Sequence, residues 1–251
     1  MKRSLSIIFG CCLLFVRVPA ADLPAIDHTP WDKLLKAHVS ASGKVDYKGF
    51  VKDKAQLDAY LQSLSKVKPD QLAKEERLAF WINAYNAYTV DVIVRNYPVK
   101  SILDVRTNKS LVGKVAGDKK VFVEKLRYPI DGKEYSLYKI EKDKLLGELF
   151  DPRIHFAINC ASFSCPKLLN EAYVPAKLEA QLDAQTKSFV NDPTKNKLSA
   201  NNPQLSQIFD WYQKDFTRNG NVIAYLNRYA DQKIDPAAKI AYINYDWKLN
   251  E

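Results

Sequence analysis

Apolar residues recur along this chain mostly at helical spacing. Trp31, Leu34, Leu35 and His38 share one side of a helix over residues 31–39. Leu57, Tyr60, Leu61 and Leu64 do the same over residues 54–64. Between them, Val45-Asp46-Tyr47 predicts a brief extended piece after Gly43. Pro69 opens the next element. Residues 71–97 form the longest helical run, rich in aromatic residues (Phe80, Trp81, Tyr85, Tyr88) and closed by Pro98. Residues 99–119 read as loop with a short helix near Ser101. A hairpin is predicted next, pairing Val121-Phe122-Val123 with Glu134-Tyr135-Ser136-Leu137 around a turn at Asp131-Gly132. Residues 139–150 read as helix, with Ile140, Leu145, Leu146 and Leu149 inward and Glu141 near the start, and Asp151-Pro152 stops it.

The run Arg153-Ile154-His155-Phe156-Ala157-Ile158 then predicts a short buried strand. Alternation places His155, Ala157 and Asn159 on one face and Phe156, Ile158 and Cys160 on the other. A small polar run follows, and Cys165-Pro166 predicts the cap of a short helix, since proline suits the first helical position. Residues 175–190 read as helix with Leu178, Leu182 and Phe189 inward. Short strands are expected at Lys197-Leu198-Ser199 and residues 204–209, helices at 210–216 and 222–229, and a closing strand over residues 239–247. The pattern predicts an α+β fold, with helices packed around a small, mostly antiparallel sheet. No repeat or Gly/Ser linker divides it.

The N-terminus changes the picture. Lys2 and Arg3 precede an apolar run over residues 5–16, and small residues follow at Val18-Pro19-Ala20-Ala21. That is the layout of a secretory signal peptide cleaved after Ala20 or Ala21, so the protein is expected to be secreted or periplasmic. About 12 apolar residues fall short of a bilayer span. Gly10-Cys11 is weaker as a lipidation site, because Cys12-Leu13-Leu14-Phe15 would remain as an apolar tail. Cleavage after Ala20 leaves a single domain, residues 21–251, and removes Lys2, Arg3 and Arg17, so the formal charge falls from +9 to +6. No basic run with interleaved aromatics suggests a nucleic-acid groove. The expected partner is a small-molecule or peptide ligand, with no stable membrane insertion once the leader is gone and no cofactor.

Outside the leader only two cysteines remain, Cys160 and Cys165, near His155. A cap position would favour thiolate at Cys165. Strand parity turns Cys160 away from His155, which makes Cys165 the candidate nucleophile and His155 its base. Glu141 is the candidate group to orient the imidazole, although an early helical Glu is as readily a surface residue. Cys160 is then a resolving thiol or a buried small residue, and Ser164 a further donor at the site. The competing reading is a structural disulfide, which an oxidising compartment allows. Asn83 and Asn86, three apart on an apolar helix, either bond to neighbouring backbone or line the site with Tyr85. The spacing His155-x4-Cys160-x4-Cys165 offers three zinc ligands, but it is no usual zinc pattern and lacks a fourth. Three readings stand: a cysteine-dependent hydrolase or acyltransferase on amide or thioester bonds of peptide or glutathione-like substrates, a non-catalytic module binding a peptide or small thiol, and a scaffold with a Cys160–Cys165 disulfide.

Several segments together resemble a known family, the domain of unknown function 547. They are Leu78-Ala79-Phe80-Trp81-Ile82-Asn83-Ala84-Tyr85-Asn86, the stretch from Asp151 through His155, Cys160, Ser164, Cys165 and Pro166 to Leu168, Ala172-Tyr173, and Ile208-Phe209-Asp210-Trp211-Tyr212-Gln213-Lys214-Asp215-Phe216. The resemblance runs from about Val45 to Asn250. It implies that Asn83, Asn86, Glu141, His155, Cys160 and Cys165 occupy shared positions, and a fold similar to papain-like cysteine hydrolases or a permuted form of it. In plants, similar domains beside coiled coils imply interaction roles, and this chain has no such segment.

Overall fold

The computed structural model describes residues 26–105 and 126–251. The leader and the predicted strand Val121-Phe122-Val123 lie outside the described residues.

Three helices, α1 (Thr29–His38), α2 (Tyr47–Lys52) and α3 (Lys54–Ser65), pack around and beside α4 (Lys74–Asn96). Every α4 residue from Leu78 to Val94 is buried, which accounts for a helix that carries aromatic residues on all sides. The pairing of Val39 with Val45 makes a tight hairpin between α1 and α2. Its Gly43 has φ +84°, and an added Cβ would meet the Lys167 side chain at 2.2 Å, so glycine lets this turn press against the chain that follows Cys165.

Strands β1 (Tyr128–Ile130) and β2 (Lys133–Tyr135) pair antiparallel. The expected turn joins them, with both Asp131 and Gly132 at positive φ as a two-residue hairpin requires. α5 (Leu137–Lys139) is capped by Ser136, whose side chain accepts from the Lys139 N–H. It widens directly into a π-helical stretch, Ile140–Glu148, that ends with Leu149 N–H donating to Lys144 O. Such i→i+5 turns are uncommon and recur at functional sites. Glu141 sits at this widening.

The predicted strand at 153–158 is instead a short helix, α6 (Ile154–Ala157). Asp151-Pro152 both ends the preceding element and starts this one. The Asp151 carboxylate accepts from Arg153 N–H, and its carbonyl accepts from Ile154 N–H. Residues 154–158 are all buried, and a short run buried on every side has no period by which to tell strand from helix. The predicted helix after Cys165 is also absent, as residues 166–169 are irregular loop, so no helix dipole acts on that cysteine.

The remaining helices are α7 (Leu178–Val190), α8 (Ile208–Trp211), α9 (Gln213–Phe216) and α10 (Val222–Tyr229). They enclose a second core in which Phe156 packs against Phe189, Phe209, Phe216 and Tyr225. Ile154 and Ala157 belong to the first core and Phe156 to the second, so α6 lies on the seam between them. Strands β3 (Gln204–Ser206) and β4 (Ala241–Ile243) pair in parallel. The fold is α+β and helix-rich. In place of one mostly antiparallel sheet, the described residues contain two separate two-stranded ribbons, one of each sense. No helix among the described residues is long and apolar enough to cross a membrane.

Candidate functional site

His155 is buried on α6, and its Nε2 lies 2.9 Å from Asp215 Oδ2 on α9. The His155 bond holds the Asp215 carboxyl below the usual carboxylate range against the opposing effect of burial, with Arg218 and Lys142 assisting. An ionised carboxylate only accepts, so Nε2–H donates this bond, and whenever the ring is neutral its lone pair is on Nδ1. Tyr212 and Phe216 pack on the imidazole, with centroids at 4.1 and 5.1 Å.

Glu141 does not make the hydrogen bond to His155. Its carboxylate accepts from Tyr212 Oη at 2.9 Å and, at a long 3.5 Å, from Tyr85 Oη, and Lys142 Nζ pairs with it at 3.0 Å. The expected imidazole-orienting position thus belongs to Asp215, and Glu141 reaches the imidazole only through the intervening Tyr212 ring. Burial, with the Glu141 charge adding to it, pushes both the Tyr85 and Tyr212 phenols well up, so both remain donors.

Cys160 and Cys165 are joined in a disulfide. Cys165 is buried and Cys160 half-buried. Cys165 Sγ accepts from the Cys160 backbone N–H at 3.0 Å and from Tyr245 Oη at 3.1 Å. Tyr245 Oη also lies 3.2 Å from Cys160 Sγ and 2.9 Å from Ser162 Oγ. The Tyr245 ring packs on Trp211, the neighbour of Tyr212, with centroids 4.9 Å apart, which ties the tail that reaches the disulfide to the segment that carries Tyr212 and Asp215. Among the described residues no three His, Cys, Asp or Glu side chains are grouped to hold a metal.

Side-chain amides hold the irregular chain between α6 and α7 in place. Asn86 donates to Ala157 O and accepts from Asn159 N–H, both at 2.9 Å. Asn83 makes the same two-way bond with the Tyr173 backbone, at 2.8 and 2.9 Å. Asn159 in turn donates to Pro166 O and accepts from Ala161 N–H, while Gln185 donates to Lys167 O. A buried loop without a sheet must satisfy its backbone groups in this way. The geometry supports the backbone-bonding alternative for Asn83 and Asn86, since each amide has both ends engaged. Ser164, the other expected donor, caps the tail: its Oγ accepts from Asp246 N–H at 2.8 Å, and its own N–H donates to Asp246 O.

Residues 69–190 match a family model described as "Protein of unknown function, DUF547". Residues 69–190 of the chain belong to this family. The match to DUF547 takes in α4, Glu141, α6 and both cysteines. Asp215, Tyr212 and Tyr245, which touch His155, Glu141 and the sulfurs, lie beyond it. No curated protein and no solved structure matches the chain. Sequence reasoning missed the roles of Asp215 and Tyr245. A signal for Asp215 was present: it is a carboxylate set between Tyr212 and Phe216, which stand four apart at helical spacing. Nothing local marks Tyr245, which is 80 residues from the sulfur it bonds.

A shallow cavity of about 530 Å³, lined by Lys36, His38, Lys44, Asp46 and Glu251 among others, shares no residue with this site. His38 there is bonded to Asp53 at 2.7 Å and packed on Phe50.

Proposed function

We propose that this is an exported hydrolase or acyltransferase acting on amide or thioester bonds of peptide or glutathione-like substrates. Cys165 in its reduced form is the nucleophile, His155 the base, and Asp215 the group that orients the imidazole. The observation that carries the reading is the buried His155–Asp215 pair, with Nε2 committed to the carboxylate and Nδ1 left as the basic nitrogen. Support at the sulfur comes from the two donors that converge on Cys165 Sγ and would stabilise a thiolate. A papain-like arrangement belongs to this proposal, as does export, which rests on the basic start, apolar run and small-residue site of the leader.

One observation favours a second reading, a non-catalytic scaffold: the Cys160–Cys165 bond leaves no free thiol among the described residues. Single-turnover labelling with an activated acyl thioester separates the two. After mild reduction, an acyl adduct should accumulate on Cys165. His155→Ala and Asp215→Asn should slow its formation by about 10²-fold or more, the usual contribution of a positioned base. Absence of adduct on the reduced protein, or an unaltered rate in His155→Ala, would leave the scaffold or a binding module.

A further inference from the structure

The two sulfurs of the disulfide are not equivalent. Cys165 Sγ is buried, and a fixed backbone donor, the Cys160 N–H, points at it from 3.0 Å. Cys160 is half-buried, and the polar neighbours of its Sγ are hydroxyls that can turn elsewhere: Ser162 Oγ at 3.3 Å and Tyr245 Oη at 3.2 Å. Ser162 Oγ lies closer still to Tyr245 Oη, at 2.9 Å, so the hydroxyl chain can run from Ser162 through Tyr245 to Cys165 Sγ. In disulfide exchange the accessible sulfur is attacked, and the sulfur better able to bear charge leaves.

We propose that Cys160–Cys165 is an exchangeable disulfide that small thiols open in the folded protein, with attack on Cys160 and departure of Cys165. An external thiolate forms a bond to Cys160 Sγ as the Cys160–Cys165 bond breaks. The electron pair goes to Cys165, whose thiolate accepts the Cys160 N–H and the Tyr245 O–H. A second thiolate attacks the mixed disulfide on the external sulfur, releasing Cys160 as a thiolate that takes a proton from solvent. Two small thiolates are oxidised to their disulfide, and the protein's disulfide is reduced to the Cys160 thiol and the Cys165 thiolate, which takes its own proton from solvent when it leaves these bonds. This activity stands independently of the acyl-transfer reading, because it requires neither His155 nor Asp215.

The test uses the full oxidised chain in native buffer with a small monothiol such as N-acetylcysteine. Samples are quenched in acid within the reaction, digested and mapped by mass. The expected adduct is on Cys160. Tyr245→Phe keeps the ring but removes one donor to the leaving sulfur, so opening should slow about tenfold with the adduct still on Cys160. An adduct on Cys165, or a disulfide that opens only after denaturant is added, overturns the proposal. An unchanged or faster rate in a folded Tyr245→Phe variant removes Tyr245 from the leaving-group role. If that variant does not fold, the wild-type adduct map alone decides.

Discussion

Replacing Asn86 with alanine should destabilise the protein more than any ordinary surface change, through a mechanism visible in two bonds. The Asn86 amide donates to Ala157 O and accepts from Asn159 N–H, each at 2.9 Å, and all three residues are at most 3% exposed. In Asn86→Ala, both backbone groups lose their partner with no water to replace it. A stranded buried group costs about 1–3 kcal/mol, so two cost about 2–6 kcal/mol. That is a large share of the 5–15 kcal/mol by which a typical domain is stable. Asn86→Asp sharpens the test. At neutral pH its carboxylate still accepts from Asn159 N–H, but it sets an acceptor against the Ala157 carbonyl and buries a charge, so it should be at least as damaging as alanine. On acidification the protonated carboxyl can donate to Ala157 O again, and the gap to wild type should narrow. Urea melts of the oxidised protein at pH 7 and pH 4, with an unchanged slope, read both effects. A loss below about 1 kcal/mol in Asn86→Ala would refute the reasoning. The amide would then not be what holds the chain after α6.

Further outcomes follow from the charges and the tail. Asp215 titrates below its ordinary value in the folded state, so it contributes stability above about pH 4 that is lost as pH falls through its folded value; Asp215→Asn should flatten that acid limb in thermal melts across pH. Burial against Tyr60, whose Oη is 2.8 Å from Nδ1, pushes His28 down to about 4. The unfolded chain then binds a proton at about pH 6.5 that the folded one refuses, and stability should fall between pH 6.5 and pH 4. NMR titration should find the His28 midpoint near 4, and His28→Gln should remove that slope; a midpoint near 6.5 would contradict the burial argument. Truncation after Asn244 should raise hydrogen exchange at the Phe163 and Ser164 amides, which donate to Lys248 O and Asp246 O, and equal protection in both chains would show that the tail does not hold the disulfide loop.

Long elements were legible in the sequence because a 3.6-residue period sums over many positions. The helices at Lys54–Ser65, Lys74–Asn96 and Leu178–Val190 lie within a few residues of expectation. The short ones were not legible. Four buried residues at Ile154–Ala157 satisfy strand and helix patterns equally, and the wrong choice carried a false parity argument about which cysteine faces His155. Cys165-Pro166 carried a helix-start signal without the apolar period needed to sustain a helix. At the site, His155 and both cysteines could be singled out by rarity. Their partners could not, because Asp215 and Tyr245 are 60 and 80 residues away from the atoms they bond, and only tertiary packing makes those pairs.

The C-terminal tail explains how so irregular a site holds one shape. Asn250 O accepts from Val45 N–H, Asn250 Oδ1 accepts from Tyr47 Oη, and Asn250 N–H donates to Ala161 O. Leu249 N–H donates to Lys100 O, and Ser101 Oγ donates to Trp247 O. A few residues therefore bond to the α1–α2 hairpin, to the turn after α4 and to the loop inside the disulfide. Ala161, at φ +59°, is a non-glycine residue in the left-handed region, a conformation worth about 1–2 kcal/mol against it. Its N–H is taken by Asn159 Oδ1 and its carbonyl by the tail, so bonds on both sides hold it. Chain segments outside the family match thus complete the site inside it. A fragment limited to residues 69–190 would carry His155 and both cysteines but would lack Asp215, Tyr245 and the strap that fixes the loop between them.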